Sequence, residues 1–204
     1  MSEPAKRRAT YADLEAVPEH LVAEIIDGRL LTHPRPSPRH SITSNALTSE
    51  LTGPFQTGRG GPGGWIFATE PELHLESEVI VPDLAGWRRE RLQAYPETSY
   101  FTIAPDWVCE VLSASTELRD RTVKMRIYAE AEVAYLWIVD PRLQLLEAFS
   151  LLDGRWVVSG AWTSDDRVAA APFDAISFSL ADLWPLDRPL GLNEDPQALY
   201  AGDR

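Results

Sequence analysis

The feature that most constrains the fold is a helix enclosed between two strongly apolar segments. Residues 107–112 read WVCEVL and residues 135–139 read YLWIV, and both are short, apolar runs typical of buried strands. The segment 116–132 between them carries apolar residues at helical spacing, on one side of the predicted helix: Val123, Ile127, Tyr128 and Ala131. Alternation of strand and helix predicts an α/β fold.

The preceding sequence predicts a hairpin, a second long helix and three further strands. LVAEIIDGRLL places two apolar runs around Asp27-Gly28, which favours a tight turn. Ser37 can cap a helix that begins at Pro38 and runs to about Leu51, with an inward stripe of His40, Ser44, Leu47 and Leu51. Strands are predicted at residues 65–69, 72–76 and 79–87, and a meander at 144–151 and 155–162.

The order helix, three strands, helix, strand predicts a mixed central β-sheet flanked by helices, an αβββαβ core. The N-terminal hairpin and the C-terminal β-meander are additions to it. With 204 residues the chain can bury a sizeable core, and we expect a single domain over residues 1–186. Residues 187–204, rich in Pro, Gly and Asp, are expected to form an arm or a partly disordered tail.

Composition indicates a cytoplasmic protein without a membrane partner. Neither a secretory signal nor an apolar run long enough to cross a bilayer is visible in the sequence. The single cysteine, Cys109, lies in an apolar run and is expected to be a buried reduced thiol.

The net charge of −12 is unfavourable for a nucleic-acid enzyme, because a polyanion is repelled at long range. Three basic clusters, at residues 35–40, 88–91 and 119–126, provide local positive charge that could bind nucleic acid. Each lies beside a segment with candidate catalytic residues. The alternative is that these clusters are solvated faces that balance a generally acidic surface.

Two carboxylates interrupt segments that are otherwise apolar. Asp83 lies between VIVP and LAGW, and Glu110 lies within WVCEVL. A carboxylate buried in a strand is costly unless it is paired, hydrogen-bonded or bound to a metal. A divalent cation bound by both carboxylates would offset the cost of burying them, and hard oxygen ligands favour Mg²⁺ or Mn²⁺. The alternative is that either acid simply pairs with an arginine or caps a loop.

Three other residues are ambiguous from the pattern alone. Lys124 lies beside the inward stripe of the central helix and could point over the sheet, or could remain at the surface and pair with Asp120. Glu24, within an apolar strand, is ordinarily an edge residue facing water. His40, near a helix start, is ordinarily a half-buried histidine with satisfied hydrogen bonds.

Several other kinds of site are excluded by their missing motifs. The sequence has no His-Glu-x-x-His helix, no paired cysteines and no Gly-x-Ser-x-Gly elbow. The Gly-rich stretch TGRGGPGG lacks the Gly-Lys-Ser/Thr ending of a phosphate-binding loop.

A series of motifs connects these residues to a known family. They are TYADLEAVPEH, VAEIIDGRLL, PSPRHS, VIVPDLAGW and the long block APDWVCEVLSASTELRDRTVKMRIYAEAEVAYLWIVDP. Their order and spacing resemble the Uma-two-type restriction endonucleases, a bacterial family of the PD-(D/E)XK nuclease superfamily. The resemblance extends from about Thr10 to Pro185 and implies a restriction-endonuclease-like fold.

The resemblance also implies roles for individual residues. Pro82-Asp83 matches the PD element and Glu110-Val111-Leu112 matches (D/E)XK, so Asp83, Glu110 and the Val111 carbonyl would hold Mg²⁺ or Mn²⁺. Leu112 stands where the superfamily usually has its lysine, and the pattern resembles a migrated lysine supplied as Lys124. Glu24 matches an upstream catalytic acid. His40 matches the Pro-Ser-x-x-His stretch as an auxiliary residue.

The implied activity is Mg²⁺-dependent hydrolysis of DNA phosphodiester bonds by a homodimer. The candidate DNA contacts are Arg39, Arg88, Arg119 and Arg121. Two alternatives remain open: a binding or accessory module that keeps the fold without cleaving, and a hydrolase of RNA or another phosphate ester. The acidic charge and the lack of a recognisable DNA-reading domain favour the first of these.

Overall fold

The computed structural model describes residues 7–187. Its helices are α1 (Tyr11–Glu15), α2 (Pro38–Leu51), α3 (Glu117–Arg119) and α4 (Met125–Glu130), with π-helical turns at Thr52–Gln56 and Asp120–Lys124 and a 3₁₀ helix at Leu180–Leu183. The strands are β1 (Leu21–Ile26), β2 (Arg29–Pro34), β3 (Trp65–Thr69), β4 (Leu73–Leu75), β5 (Glu78–Ile80), β6 (Leu84–Arg88), β7 (Trp107–Val111), β8 (Tyr135–Asp140), β9 (Leu145–Leu152), β10 (Arg155–Thr163), β11 (Arg167–Val168) and β12 (Phe178–Ser179).

A six-stranded mixed sheet forms the centre, in the order β10-β9-β8-β7-β6-β3. Only β7 and β8 are parallel within it, and the helical segment α3–α4 connects them, as a parallel pair requires. Helix α2, strands β3, β6 and β7, this helical segment and β8 follow one another in this layer, although β4 and β5 intervene along the chain and belong to a second sheet. The predicted fold class is therefore confirmed, and β9 and β10 form the predicted meander.

The second sheet departs from the prediction. It contains four strands in the order β2-β1-β5-β4, so the N-terminal hairpin is not a separate addition. The predicted strand at 79–87 is in fact two strands in different sheets, β5 and β6, and the break falls at residues 81–83. Pro82 cannot donate a ladder hydrogen bond, which explains why the strand ends there. Asp83 thus precedes a strand instead of interrupting one.

The hydrophobic core lies on both faces of the central sheet. Along β7, Trp107, Cys109 and Val111 pack on the face covered by α2. Val108 belongs to the opposite face, where Ile127 and Tyr128 of the helical segment pack. Because side chains alternate along a strand, Glu110 shares the face of Val108 and lies below this helical segment. Cys109 is fully buried, as predicted.

Helix α2 begins as predicted, because the Ser37 hydroxyl accepts a hydrogen bond from the His40 backbone N–H. Its inward stripe was predicted with one error: Thr43, not Ser44, is the buried residue. The Ser44 hydroxyl instead donates to the His40 carbonyl. His40 itself is buried, which places an imidazole between α2 and the sheet.

The predicted arm or tail falls almost entirely outside the described residues. Its first residue, Asp187, accepts hydrogen bonds from Arg39 at 2.6 and 3.2 Å. Residues 188–204 are not described. Within residues 7–187, no helix is both long enough and apolar enough to cross a bilayer.

Candidate active site

A pocket of about 210 Å³ lies where the two sheets and two helices meet. All five residues predicted to be catalytic or auxiliary line it: Glu24, His40, Asp83, Glu110 and Lys124. They come from β1, α2, the break before β6, β7 and the π-helical turn respectively.

Asp83 and Glu110 are brought together by strand register. Leu84 pairs with Cys109 and Ala85 with Val108 in the antiparallel β6–β7 ladder. One step further along the same register places Asp83 beside Glu110. The Val111 backbone N–H donates to Asp83 Oδ2 at 2.6 Å, which holds the carboxylate at the end of the ladder. The predicted pair of acids is therefore adjacent.

Lys124 is the cation at the centre of the site. Its Nζ lies 3.0 Å from Glu24 Oε1, 3.2 Å from Glu110 Oε1 and 3.0 Å from the Val81 carbonyl. The surface alternative, a pair with Asp120, is not what the structure shows: Lys124 is buried, and its contact with Asp120 is longer, at 3.9 Å. Burial would lower the pKa of Lys124, but the surrounding carboxylates raise it overall.

Glu24 is fully buried and is therefore not an edge residue that faces bulk water. Burial alone would raise the pKa of Glu24, but the Lys124 charge, the nearby His33 ring and the hydrogen bond from the Val81 backbone N–H outweigh burial and lower the pKa to about 2. Glu24 Oε2 has no hydrogen-bond partner, since Arg119 and His33 remain 3.6 and 3.7 Å away. One buried carboxylate oxygen of this pocket-lining residue therefore lacks a hydrogen-bond partner.

His40 contacts the metal-site candidate Asp83. Its Nε2 lies 3.0 Å from Asp83 Oδ1. Burial opposes protonation of this ring, yet the hydrogen bond and charge of Asp83 raise the pKa of His40 overall. The auxiliary residue thus fixes the orientation of Asp83.

Two residues of the site were not predicted from the sequence. The Tyr128 hydroxyl, fully buried, donates to Glu110 Oε1 at 2.5 Å. Asp120, also buried, lines the pocket beside Lys124. Burial is the largest cause that raises the pKa of Glu110 well above its usual range, and the nearby charges of Asp120 and Asp83 add to it. Tyr128 belongs to the predicted apolar stripe, and nothing in the sequence indicates the partner of its hydroxyl.

Replacing Tyr128 with phenylalanine removes this hydrogen bond without removing the ring. We expect the free energy of unfolding to fall by about 1–3 kcal/mol, because a buried carboxylate loses a donor. Urea denaturation measures the change. Tyr95→Phe is the matched control, since Tyr95 is 94% exposed and its hydroxyl should contribute little. Equal stability of the two variants would contradict the assigned hydrogen bond.

The donor set fits a hard divalent cation. Among the described residues, no group of three His, Cys, Asp or Glu side chains is arranged to hold a metal. Mg²⁺ does not require one, because it usually keeps several waters and takes one or two carboxylates. Asp83 and Glu110 supply two, whereas Val111, predicted as a third ligand through its carbonyl, is not among the residues that line the pocket. Zinc would require a fuller set of protein ligands.

The four arginines predicted to contact DNA are dispersed. Only Arg119 lines the pocket. Arg39 pairs with Asp187 and Arg121 pairs with Glu147, both at 2.6 Å. Arg88 lies over the Trp65 ring, with its guanidinium carbon 4.9 Å from the ring centroid.

Comparison with known families decides the membership of this chain. The model of the Uma2 family, described as "Putative restriction endonuclease", matches residues 8–181. The chain belongs to this family. The match spans both sheets and every residue of the pocket, so the Uma2 resemblance expected from the motifs is confirmed.

A solved structure supports the fold of this Uma2 protein. It is a crystal structure from Anabaena variabilis, described as a "putative nuclease belonging to DUF820". The two share 21% identity and superpose with a TM-score of 0.70, over 86% of this chain and 97% of the other. Similarity at this identity establishes the architecture. No curated protein sequence matches the chain.

Proposed function

We propose that this Uma2 protein is an endonuclease that uses Mg²⁺ or Mn²⁺ to hydrolyse DNA phosphodiester bonds. One observation carries the proposal: Lys124 is buried between Glu24 and Glu110 in the pocket that Asp83 also lines. Burying one lysine with several acids is costly for stability alone, which favours a functional reason for the cluster.

Asp83 and Glu110, with the Val111 carbonyl, would hold the metal. When bound, the metal supplies Lewis-acid activation of the phosphate and of water. Lys124 stays protonated because the acids around it raise its pKa, so its ammonium can stabilise charge that develops on the phosphate. Glu24 positions the Lys124 ammonium through its Oε1, and Tyr128 and His40 orient Glu110 and Asp83.

The direct test is cleavage by the purified protein of a supercoiled plasmid, a single-stranded DNA and an RNA. We expect nicking of DNA in Mg²⁺ or Mn²⁺, and none with EDTA. Glu110→Gln should reduce the rate at least about 100-fold, because loss of even a group outside the first coordination shell costs about 10–100-fold. The variant also serves as the control for contaminating nucleases, since it is purified identically.

Each of the other outcomes would indicate a different function for this protein. Metal binding without cleavage of any substrate would indicate the non-cleaving accessory module. Cleavage of RNA alone would indicate a ribonuclease. The homodimer stays a prediction of the family resemblance, and sedimentation equilibrium would test it.

A further inference from the structure

Positive charge is sparse around the pocket, and this restricts the form of DNA that it can bind. Resting on the proposed function, we infer that the substrate is an unpaired DNA strand held through about two phosphates, and not a duplex bound along its length. The two arginines among the described residues that line the pocket are Arg35 and Arg119. Duplex-binding proteins neutralise many more phosphates, often six to ten.

Two of the predicted DNA contacts are already neutralised by protein carboxylates. Both terminal guanidinium nitrogens of Arg39 donate to Asp187, at 2.6 and 3.2 Å. Arg121 lies 2.6 Å from Glu147 and 3.6 Å from Glu117. A phosphate could recruit either arginine only by displacing its carboxylate, and a net charge of −12 gives no general attraction to compensate.

Arg88 is too far from the acids to act on the same phosphate. It lies five residues beyond Asp83 along β6, which corresponds to about 17 Å at the rise of a β-strand. Its guanidinium is held over Trp65, at the other end of the strand. The basic cluster at residues 88–91 therefore does not surround the pocket.

The burial of Glu24 and Glu110 also favours an unpaired strand as the substrate. Glu24 and Glu110 are at most 2% exposed, at the base of a pocket of about 210 Å³. In a duplex, pairing and stacking keep each phosphate at the surface of a stiff cylinder, so bringing one close to buried acids requires deformation of the DNA. An unpaired strand can bend one phosphate inward, and it avoids the few kcal/mol that unpairing a duplex costs.

The two arginines that line the pocket, Arg35 and Arg119, are placed to hold such a strand. Arg119 is 20% exposed and lies 3.6 Å from Glu24 Oε2, beyond hydrogen-bond distance. Arg35 is 57% exposed, donates to the Glu19 carbonyl at 2.8 Å and lies 3.5 Å from Glu70. Neither makes a close bidentate pair, so both guanidinium groups can bind phosphate at smaller cost than Arg39 or Arg121.

The salt dependence of binding tests this inference. Fluorescence anisotropy in Ca²⁺ would give Kd for a labelled single strand and for the matching duplex, with intact DNA verified on a gel afterwards. For two neutralised phosphates on a single strand, the slope of log K against log [salt] should be about −1.4. A slope steeper than about −5, or equal affinity for the duplex, would overturn the inference.

Matched arginine variants locate the contact. Arg119→Met should make the slope shallower by about 0.7, the value for one phosphate, whereas Arg119→Lys should keep it. Arg121→Met, in the same helical segment but outside the pocket lining, should leave the slope unchanged. If Arg121→Met changed the slope and Arg119→Met did not, the assigned contact would be wrong.

A cleavage measurement separates this inference from the proposed function. We expect purified protein in Mn²⁺ to cut a single strand, or a duplex with an unpaired bubble, at least tenfold faster than the intact duplex. Faster cutting of the intact duplex would overturn the inference and leave the nuclease proposal standing. Failure to cut any of the three DNAs would overturn both.

Discussion

Replacing Lys124 with methionine is expected to cost about 3–5 kcal/mol in the free energy of unfolding and to abolish cleavage. The stability loss follows because Glu24 and Glu110 would remain buried without their shared cation, and an uncompensated buried charge is strongly destabilising. Methionine keeps most of the volume, so the change reports charge more than packing. Urea denaturation and a plasmid-nicking assay measure the two effects.

The matched control is Arg126→Met, in the helix that follows. Arg126 contacts Asp27 and Glu130, but its side chain is 44% exposed, and exposed pairs contribute about 0–1 kcal/mol. We therefore expect a small loss of stability and unchanged cleavage. A Lys124→Met protein as stable as Arg126→Met would show that the buried contacts of Lys124 do not form.

A double variant keeps the prediction testable if Lys124→Met does not fold. Glu24→Gln removes a carboxylate that Lys124 neutralises, so Lys124→Met with Glu24→Gln should recover part of the lost stability. Cleavage should remain absent in the double variant, because the ammonium is still missing. Recovery of both stability and cleavage would assign Lys124 a purely structural role.

The pH dependence of this stabilisation follows from the raised pKa of Lys124. A group whose pKa is raised on folding contributes stability that is complete below its unfolded value, here 10.5, and is lost as pH rises through the folded value. The difference between wild type and Lys124→Met should therefore not fall between pH 6 and pH 9, because Lys124 stays charged and the acids beside it can only gain charge as the pH rises. A difference that disappears within that range would show that Lys124 is not charged in the folded protein.

Much of the architecture could be predicted from local patterns. The helical segment after β7 and the apolar strands on either side of it are set by short-range periodicity, which one sequence shows directly. Asp83 and Glu110 could be identified for a physical reason, since acids in apolar surroundings are costly. Lys124 is different: from spacing alone it is more often a surface lysine, and only the family resemblance favours a place in the site.

What the sequence did not reveal depends on contacts between distant segments. The break at residues 81–83, which separates β5 from β6, assigns one apolar run to two sheets. The partners of Arg39 and Arg121, Asp187 and Glu147, lie 148 and 26 residues away along the chain. Local composition therefore identified basic clusters, but could not show which of their charges were already neutralised.

Asparagine in place of Asp83 is expected to raise the Kd for Mn²⁺ at least about 100-fold, as measured by isothermal titration calorimetry. The substitution removes one of the two carboxylates proposed to hold the metal, and a carboxamide is a weaker ligand for a hard cation. The carbonyl oxygen of the introduced carboxamide could still accept from the Val111 N–H, so the strand end should persist. Cleavage should be lost together with binding.

Asp106→Asn is the matched control, because Asp106 is also a buried acid at the end of a strand of the same sheet. Its carboxylate accepts from the Arg88 N–H and pairs with Arg91, both at 2.8 Å. It lies four residues before Glu110, about 13 Å along the strand, and does not line the pocket. Stability should fall in this variant while the Kd for Mn²⁺ stays unchanged. If Asp83→Asn bound Mn²⁺ as tightly as Asp106→Asn does, Asp83 would not be a metal ligand, and its contact with His40 would be structural.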